Sequence, residues 1–333
     1  MKRLRFGVTG LGMMGDIYAR VLADLPEAEL VALCDIMPGK AAEMARKLGV
    51  SGYAGTDFAE MLRQHPDLDG VAVTTPDADH VGPVLAALDA GMHVCVEKPL
   101  ATTVADGQRL AERARQAGRL LMVGHTLRFQ PQFIAMREAV VRGEIGQVLH
   151  IFARRNNPNT VRDRLGGRVS VAFFLGVHDI DMLLWTMRQP VIKAFAKSVT
   201  RNDRGVADSI LSTLTFADGA LALLENSWGM PAVGGRPRRF QFDVAGTEGV
   251  IEVYAHEQGI GILKADATDY PGTVFLPEVQ GRLGGVYRDQ VEHFVDCIAR
   301  GRTPACTAEE GLEAVRVAAA IERSLREGVE VDV

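Results

Sequence analysis

Short apolar runs alternate with amphipathic stretches along the first 124 residues of the chain. The runs are rich in Val, Leu and Ala and have the length of buried strands, whereas the stretches between them repeat apolar residues at helical spacing. The predicted strands span residues 4–9, 29–34, 52–54, 70–75, 92–97 and 119–124, and the predicted helices span 16–25, 39–48, 57–64, 80–90 and 104–117. This alternation predicts an α/β fold with a doubly wound parallel sheet, the Rossmann arrangement.

The pattern changes after residue 124. Two helical stretches, 131–142 and 170–185, precede strand-like runs that are separated by turn residues. The runs cover 191–200, 210–216, 221–228, 240–246 and 250–254, and two more helices are expected between 286 and 333. Consecutive short strands predict an α+β domain with a large, mostly antiparallel open sheet. We therefore expect two domains, residues 1–124 and residues 125–333, which suits the length of the chain.

Composition excludes several kinds of partner. The formal net charge is -5 and both signs are spread along the chain, without the basic stripe that binding of a phosphate backbone requires, so we expect no nucleic acid partner. The first residues lead directly into a strand pattern, and no apolar stretch approaches about 18 residues, so we expect neither export nor a membrane partner. The four cysteines lack CxxC spacing, which predicts a reduced, cytoplasmic protein without a metal site.

The predicted strand at 92–97 ends abruptly on Glu97, Lys98 and Pro99. Proline cannot donate a hydrogen bond to a neighbouring strand, and it biases the residue before it away from helical backbone angles, so the strand must end there. Lys98 is thereby predicted to lie at the carboxyl edge of the sheet. Ligands of open α/β sheets bind at that edge.

A glycine-rich turn follows the first predicted strand and opens a helix. Its sequence is Gly10-Leu11-Gly12-Met13-Met14-Gly15. The first glycine of such a motif permits a tight turn, the second lets the backbone approach a pyrophosphate, and the third lets helix and strand pack closely. In this context the motif predicts a dinucleotide site with the phosphates at the helix N-terminus.

Asp35 ends the second predicted strand, twenty residues after Gly15. This spacing is typical of a carboxylate that binds the ribose diol of NAD. No arginine follows Asp35, and its charge would repel a 2′-phosphate, so we expect NAD rather than NADP as the cofactor. The alternative for Asp35 is a simple cap of the next helix. The strand-end rule gathers further candidates on the same edge: residues 74–76, Glu97, Lys98 and His125.

Three motifs of the chain resemble those of the Gfo/Idh/MocA oxidoreductase family. They are the glycine-rich turn, Thr75-Pro76 followed by His80, and Glu97-Lys98-Pro99. The resemblance runs over the whole length and implies that all three motifs contribute to the cofactor site. It also implies that Lys98 lies beside the nicotinamide and the substrate hydroxyl, that the Lys98–Pro99 bond is cis, and that one face of the C-terminal sheet serves self-association.

The stretch from His125 to Pro131 resembles the family's hinge into its second domain. Arg128 is interpreted either as a member of an interdomain salt bridge or as a substrate contact. His125 either lines the nicotinamide pocket or is a strand-end histidine with satisfied hydrogen bonds.

His178 and Asp181 interrupt the apolar face of the helix predicted over 170–185. The family pattern D-x-G-x-H-x-x-D overlies this stretch with Gly176, His178 and Asp181 in place, which implies proton exchange by His178 and substrate binding by Asp181. The alternatives are a core histidine and a metal site, for which no third ligand is suggested. Phe174 stands where the pattern has its first aspartate, so another residue replaces that carboxylate or the chain handles a different substrate or a redox-neutral reaction.

Five arginines crowd one stretch, at positions 154, 155, 162, 164 and 168. The resemblance implies that a loop at the mouth of the substrate site lies here. The run is interpreted either as solvated loop surface or, with Arg155 as the substrate-binding candidate, as a site for an anionic group such as a uronate carboxylate or a sugar phosphate.

Together these features predict an NAD-dependent dehydrogenase or reductase that transfers a hydride between nicotinamide and a sugar, inositol or related polyol, with Lys98 and His178 handling the proton. The alternatives are a redox-neutral NAD-using glycosidase or lyase and a non-catalytic NAD- or sugar-binding protein. We expect a homodimer or homotetramer, because the strands from 191 to 254 should present an apolar face that includes Trp228.

Overall fold

The computed structural model describes residues 3–231, 239–254, 262–263, 268–269 and 272–333. The chain divides into two compact units, the first formed by Met1–Phe129 with Val274–Leu312 and the second by Gln130–Thr273 with Glu313–Val333. This division differs from the expected one at residue 124: the first stretch continues to Phe129, and a later segment of the chain returns to the first unit.

The first unit is built on a six-stranded parallel sheet with strand order β3-β2-β1-β4-β5-β6. Its strands are β1 Leu4–Thr9, β2 Ala28–Cys34, β3 Ala54–Gly55, β4 Gly70–Val73, β5 His93–Glu97 and β6 Leu121–Gly124, and its helices are α1 Met13–Asp24, α2 Lys40–Leu48, α3 Phe58–Gln64, α4 Val81–Asp89 and α5 Val104–Ala117. Four of the five residues of β5 are buried, as expected for a strand covered on both faces. The predicted doubly wound sheet is confirmed.

Helix α1 begins three residues earlier than the apolar pattern indicates, at Met13 instead of Asp16. The last glycine of the glycine-rich turn therefore lies inside the first turn of the helix. Because the helix starts directly after Gly12, its N-terminal N–H groups lie at the carboxyl end of β1, where the motif predicts the phosphates.

The first unit is completed by a helix from late in the chain. The amphipathic stretch after residue 285 forms the helix Val286–Arg300, which buries Val291, Phe294 and Val295 in the core shared by β1 and α1. The rings of Phe6 and Phe294 pack with their centroids 6.0 Å apart. The helical spacing of apolar residues predicted this helix, but it does not show which hydrophobic core the helix packs into. A single boundary at residue 124 therefore did not assign this helix to the first unit.

The second unit is built on a seven-stranded sheet with order β12-β11-β7-β10-β9-β8-β17. Its strands are β7 Val148–Pro158, β8 Val191–Val199, β9 Ser209–Phe216, β10 Leu221–Met230, β11 Arg239–Gly246, β12 Val250–Val253 and β17 Val331–Asp332, and its helices are α6 Pro131–Val141, α7 Asn159–Leu165 and α8 Val177–Met187. Neighbouring strands are antiparallel except for β7 and β10. The predicted mostly antiparallel sheet is confirmed.

The remaining elements are short pairs and two long helices. The pairs are β13 Ile262–Leu263 with β14 Thr268–Asp269, and β15 Glu278–Val279 with β16 Arg282–Leu283. The long helices are α9 Val286–Arg300, described above, and α10 Ala308–Glu327. None of the helices in the described part of the chain has the length and apolar character needed to cross a membrane.

The prediction that the arginine-rich stretch forms a loop is wrong for the first part of that stretch. Residues 148–158 form β7, which pairs with both β10 and β11. A strand with two consecutive arginines was not indicated by apolar alternation. The charges are accommodated because Arg154 donates to the Glu225 carboxylate at 2.8 Å on the adjacent strand and Arg155 is buried against another carboxylate described below.

Strand register defines the open face of the second sheet. Leu223 of β10 is paired with Thr213 on one side and Phe152 on the other, and directly paired residues point to the same face. Leu211 and Leu223 are exposed, so part of this face is apolar. Trp228 was expected there, but it is fully buried and its indole N–H donates to Ala207 O at 2.7 Å.

Candidate active site

The glycine-rich turn has the geometry that a dinucleotide requires. Gly10 has φ +85°, and a Cβ there would lie 2.6 Å from the Thr75 backbone nitrogen, so only glycine fits. At Gly15 a Cβ would lie 2.1 Å from Gly10 O, whereas at Gly12 it would meet nothing within 4 Å. The outer two glycines therefore permit close packing, and Gly12 leaves open space at the start of α1, which fits the close approach of a pyrophosphate.

Asp35 is held at the end of β2 by three donors. Its Oδ2 accepts from Leu11 N at 2.7 Å and lies 3.1 Å from Lys40 Nζ, and its Oδ1 accepts from Met37 N at 2.9 Å. Burial raises the pKa of Asp35, but the Met37 N–H, the Lys40 ammonium and the Leu11 N–H outweigh it and hold this pKa below its usual value. The carboxylate is therefore ionised and fixed, as a ribose ligand must be.

His80 joins two of the predicted cofactor motifs. Its Nδ1 lies 2.8 Å from Pro99 O and its Nε2 lies 3.1 Å from Thr75 O. The side chain is fully buried; burial lowers the pKa of His80, and the Pro99 and Thr75 carbonyls act in the opposite direction. His80 thus fixes the turn at Thr75-Pro76 against the turn after Lys98.

Glu97 and Lys98 lie where the sequence predicts them, at the carboxyl end of β5. The Lys98–Pro99 peptide bond is cis, as the family resemblance implies. Glu97 is buried and accepts a hydrogen bond from the Tyr18 hydroxyl at 2.8 Å. Burial raises the pKa of Glu97 to about 7, so this carboxyl titrates near neutrality.

The two hinge candidates are both buried in the first unit. His125 follows β6 directly and is 1% exposed. Arg128 donates to Ala305 O at 2.6 Å and pairs with Glu310 at 3.0 Å. Since these partners belong to the same unit, the contacts with Ala305 and Glu310 lie within that unit; a salt bridge to the second unit or a substrate contact by Arg128 stays a prediction.

The helix that carries His178 is not uniform. The residues before it, Ala172–Gly176, form a π-helical turn, and the α-helix begins only at Val177. Such turns are rare and are frequently found at functional sites. Phe174 lies in this turn with its ring tilted against Trp228, centroids 6.1 Å apart, so an aromatic contact replaces the carboxylate of the family pattern.

A buried ion pair anchors the start of α8 to the sheet. Arg155 of β7 contacts Asp179 Oδ1 through Nε at 2.8 Å and through a terminal nitrogen at 2.7 Å, and the Asn226 amide donates to Oδ2 at 2.8 Å. The Arg155 guanidinium also lies 4.5 Å from the centre of the Phe240 ring. Burial raises the pKa of Asp179, and Arg155 and Asn226 counter that effect.

This ion pair corrects the interpretation of Arg155 as a substrate ligand. Its guanidinium is 5% exposed and is committed to Asp179, because β7 and α8 bring the two together. Asp181, two residues further on, is itself 1% exposed. Two other arginines of the run lie on α7, where Arg162 pairs with Asp208; Arg168 follows that helix and is exposed.

Several residues of the site were missed from the sequence. Asp179 and Asn226 give no local signal, because each has its partner on another element. Tyr18 and Gln290, which bond to each other, lie 272 positions apart. Lys40 could have been identified from the sequence as a partner of Asp35, since it lies in the first turn of the helix that follows Asp35.

The fold and the strand-end site define an NAD-dependent oxidoreductase. Residues 4–125 match the family model described as an oxidoreductase family with an NAD-binding Rossmann fold, and residues 133–252 match the GFO/IDH/MocA C-terminal domain. The chain belongs to the Gfo/Idh/MocA family, which confirms the family and the NAD-binding domain expected from the motifs.

Relatives cover almost the whole chain. The myo-inositol 2-dehydrogenase of Thermotoga maritima is 32% identical over 333 residues, which are 97% of this chain and 97% of that protein. The 4-carboxy-2-hydroxymuconate-6-semialdehyde dehydrogenase of Sphingobium sp. is 26% identical over 328 residues, 97% and 99% of the two chains. The structure of a scyllo-inositol dehydrogenase from Lactobacillus casei with NAD(H) and scyllo-inositol has a TM-score of 0.86 over 99% of both chains at 22% identity, which speaks for the fold alone.

Proposed function

We propose that this chain oxidises or reduces a sugar, inositol or related polyol with NAD. The observation that carries the proposal is the location of Lys98, at the carboxyl end of β5 on the same sheet edge as the glycine-rich turn and Asp35. An ammonium at that edge suits an enzyme that acts on a C–O bond beside a nicotinamide. The full-length similarity to a myo-inositol 2-dehydrogenase supports this substrate class.

In this proposal the residues of the chain bind NAD and the substrate and transfer the proton. NAD, when bound, supplies the acceptor or donor of the hydride. Gly10 to Gly15 bind the pyrophosphate at the start of α1, and Asp35 accepts hydrogen bonds from the ribose diol. Lys98 donates to the substrate oxygen and stabilises the negative charge that develops there, and His178 takes up or returns the hydroxyl proton. Direct substrate contact by Asp181 and His125 belongs to the same proposal.

Asp35 underlies the proposed preference for NAD. A 2′-phosphate would lie against an ionised carboxylate that is already fixed by two backbone N–H groups, and the repulsion disfavours NADP. Lys40 complicates this preference, since its ammonium lies 3.1 Å from Asp35 and would attract a phosphate once the carboxylate was removed.

A second candidate is a redox-neutral reaction on a sugar, in which tightly held NAD is reduced and then reoxidised within one turnover. Phe174 favours it, because an aromatic side chain stands in place of the carboxylate that the family pattern puts four residues before His178. The similarity to a semialdehyde dehydrogenase shows that relatives of this chain also act outside the polyols.

A substrate panel separates these functions. Aldoses, inositols, uronates and nucleotide sugars are each incubated with NAD, and NADH formation and product formation are followed in parallel. We expect NADH to accumulate with at least one polyol. Product without net NADH would favour the redox-neutral reaction, and firm NAD binding without any turnover would favour a binding protein.

We further propose self-association through the open face of the second sheet. The exposed side chains of Leu211, Leu221 and Leu223 make part of that face apolar, which is unfavourable in contact with water. Light scattering at micromolar protein should give the mass of a dimer or tetramer, and Leu223→Glu should lower it. A monomeric parent would contradict the proposal.

A further inference from the structure

One side-chain amide of the sheet contacts the start of α8 at two points. Asn226 of β10 is 2% exposed, and its amide nitrogen donates to Asp179 Oδ2 at 2.8 Å. Its amide oxygen lies against Gly176, where a Cβ would be 2.9 Å from Oδ1. The amide of Asn226 therefore contacts the helix both before and after His178.

This contact explains the glycine at position 176. Gly176 has ordinary helical backbone angles, φ −59° and ψ −36°, so its conformation does not require glycine. Alanine is usually the more favourable residue in a helix. The Asn226 amide cannot move aside, because it is buried and bonded to Asp179. A side chain at position 176 would therefore push α8 away from β10.

Arg155 assists Asn226 from the neighbouring strand. The two residues are directly paired in the register of β7 and β10, so their side chains lie on the same face of the sheet. Arg155 holds Oδ1 of the Asp179 carboxylate, and Asn226 holds Oδ2. Because both oxygens are held and Gly176 lies against the amide, α8 is restrained from rotating about its own axis.

The held face of α8 determines where His178 lies. Gly176 and Asp179 are three positions apart and share one face of the helix. His178 and Asp181 are also three positions apart, and this pair is offset from the first by two residues, which is about 200° around the helix axis. When β10 holds the first pair, the second pair faces away from the sheet.

We propose that Asn226 is a positioning residue for His178, which it orients by fixing the rotation of α8 through Gly176 and Asp179. The inference rests on the proposed role of His178 in proton transfer. A group that transfers a proton must lie within hydrogen-bond reach of the substrate, and a misplacement of about 1 Å can lower the rate roughly 100-fold. Loss of the Asn226 amide therefore lowers turnover without changing the residues that bind NAD.

Asn226→Leu tests the proposal, because leucine has a similar size but lacks the amide. We expect kcat to fall about 10- to 100-fold, with NAD affinity near the parent value. In the His178→Ala background the same substitution should leave kcat unchanged, because no imidazole remains to be positioned. An equal loss in both backgrounds would overturn the proposal, since Asn226 would then act on the fold in general.

Gln241→Met is the matched control. Gln241 also donates its side-chain amide to a carboxylate in the same unit, that of Asp243 at 2.7 Å. It is paired with Arg154, the neighbour of Arg155 along β7, and so lies on the opposite face of the sheet. Its loss should leave kcat at the parent value.

Gly176→Ala tests the same contact from the helix, and it serves if Asn226→Leu does not fold. The added Cβ presses on the Asn226 amide, so kcat should fall about 10-fold or more although alanine favours a helix. In the Asn226→Ala background the amide is absent, and Gly176→Ala should lower kcat little further. An equal loss in both backgrounds would refute the contact.

Hydrogen exchange measures the restraint on α8 independently of activity. The amide protons in the first turns of α8 should exchange about 10-fold faster in Asn226→Leu than in the parent and in Gln241→Met. Unchanged exchange in Asn226→Leu would overturn the positioning role. Near-parent activity of His178→Ala would instead refute the proposed role of the histidine, whatever the exchange rates are.

Discussion

The two units fix their candidate site residues by different means. In the first unit the residues lie at the ends of parallel strands and are held by backbone groups, as Asp35 is by two N–H groups and His80 by two carbonyl oxygens. In the second unit the helix of His178 is held by a buried ion pair between Arg155 and Asp179. A site held by backbone geometry tolerates changes in side chains, whereas a site held by buried charges depends on particular pairs.

The largest effect should come from the residues assigned to proton handling. Proton exchange by a positioned side chain contributes about 100- to 10,000-fold, so Lys98→Ala and His178→Ala should each lower kcat by about that factor. NAD affinity, measured by fluorescence titration, should change little because the glycine-rich turn and Asp35 remain.

The lysine variant has a control in its own unit. Lys47 is an exposed lysine paired with Glu43, so Lys47→Ala should leave kcat unchanged. If His178→Ala retained near-parent activity, the histidine would be a core residue and another group would handle the proton.

The ion pair of the second unit should dominate its stability. Arg155→Leu leaves the Asp179 carboxylate buried without its counter-charge, a loss of about 3–5 kcal/mol in the free energy of unfolding. Urea denaturation followed by tryptophan fluorescence reports this unit, because both tryptophans, Trp185 and Trp228, belong to it.

Two comparisons sharpen this measurement. The double variant Arg155→Leu/Asp179→Leu should be less destabilised than Arg155→Leu, since no unpaired charge remains. Arg142→Leu breaks an exposed pair with Glu138 and should cost about 0–1 kcal/mol. A double variant less stable than Arg155→Leu would show that the charges themselves stabilise the unit.

The cofactor site of the first unit should respond more moderately. Asp35→Ala removes hydrogen bonds from a charged acceptor, worth about 1.5–3 kcal/mol, so NAD affinity should fall about 10- to 100-fold. NADP affinity should rise because Lys40 is then released toward a 2′-phosphate. Asp35→Ala/Lys40→Ala is the control and should lose the gain for NADP. Equal affinities of the parent for NAD and NADP would refute the role of Asp35.

The smallest effect concerns Phe174. If its missing carboxylate is the reason that this chain departs from polyol oxidation, Phe174→Asp should raise the oxidation of inositols or aldoses by about tenfold, the lower end of the range for one hydrogen bond to a charged group. Phe174→Asn is the matched control, because asparagine has nearly the same shape as aspartate but carries no charge. Equal oxidation rates in the two variants would show that a negative charge at position 174 does not determine the rate.

The parallel sheet of the first unit and the helices between its strands could be predicted, because their information is local. Apolar runs and glycine spacing place each strand, and the strand-end rule then brings Gly10, Asp35 and Lys98 to one edge. The hydrogen bonds that join Glu97, Tyr18 and Gln290 could not be predicted, since Tyr18 and Glu97 are separated by 79 positions and packing alone brings them together.

The second unit was predicted less well where a strand contains charged residues and so lacks the alternation of apolar and polar residues. Strand β7 contains Arg154 and Arg155, which resemble a solvated loop until the partners Glu225 and Asp179 are known. Trp228 was assigned to the open face because alternation within β10 does not reveal that its indole bonds to Ala207. The location of the self-association face remains a prediction.

The Arg155–Asp179 pair also restricts the routes by which the sequence can diverge. Proteins of this kind are stable by roughly 5–15 kcal/mol, so losing either charge alone, at about 3–5 kcal/mol, removes a large share of that margin. A lineage can leave this arrangement only by changing both positions together or by first acquiring stability elsewhere. Among relatives that keep β7 and α8, we therefore expect that arginine at position 155 and aspartate at position 179 either both occur or are both replaced.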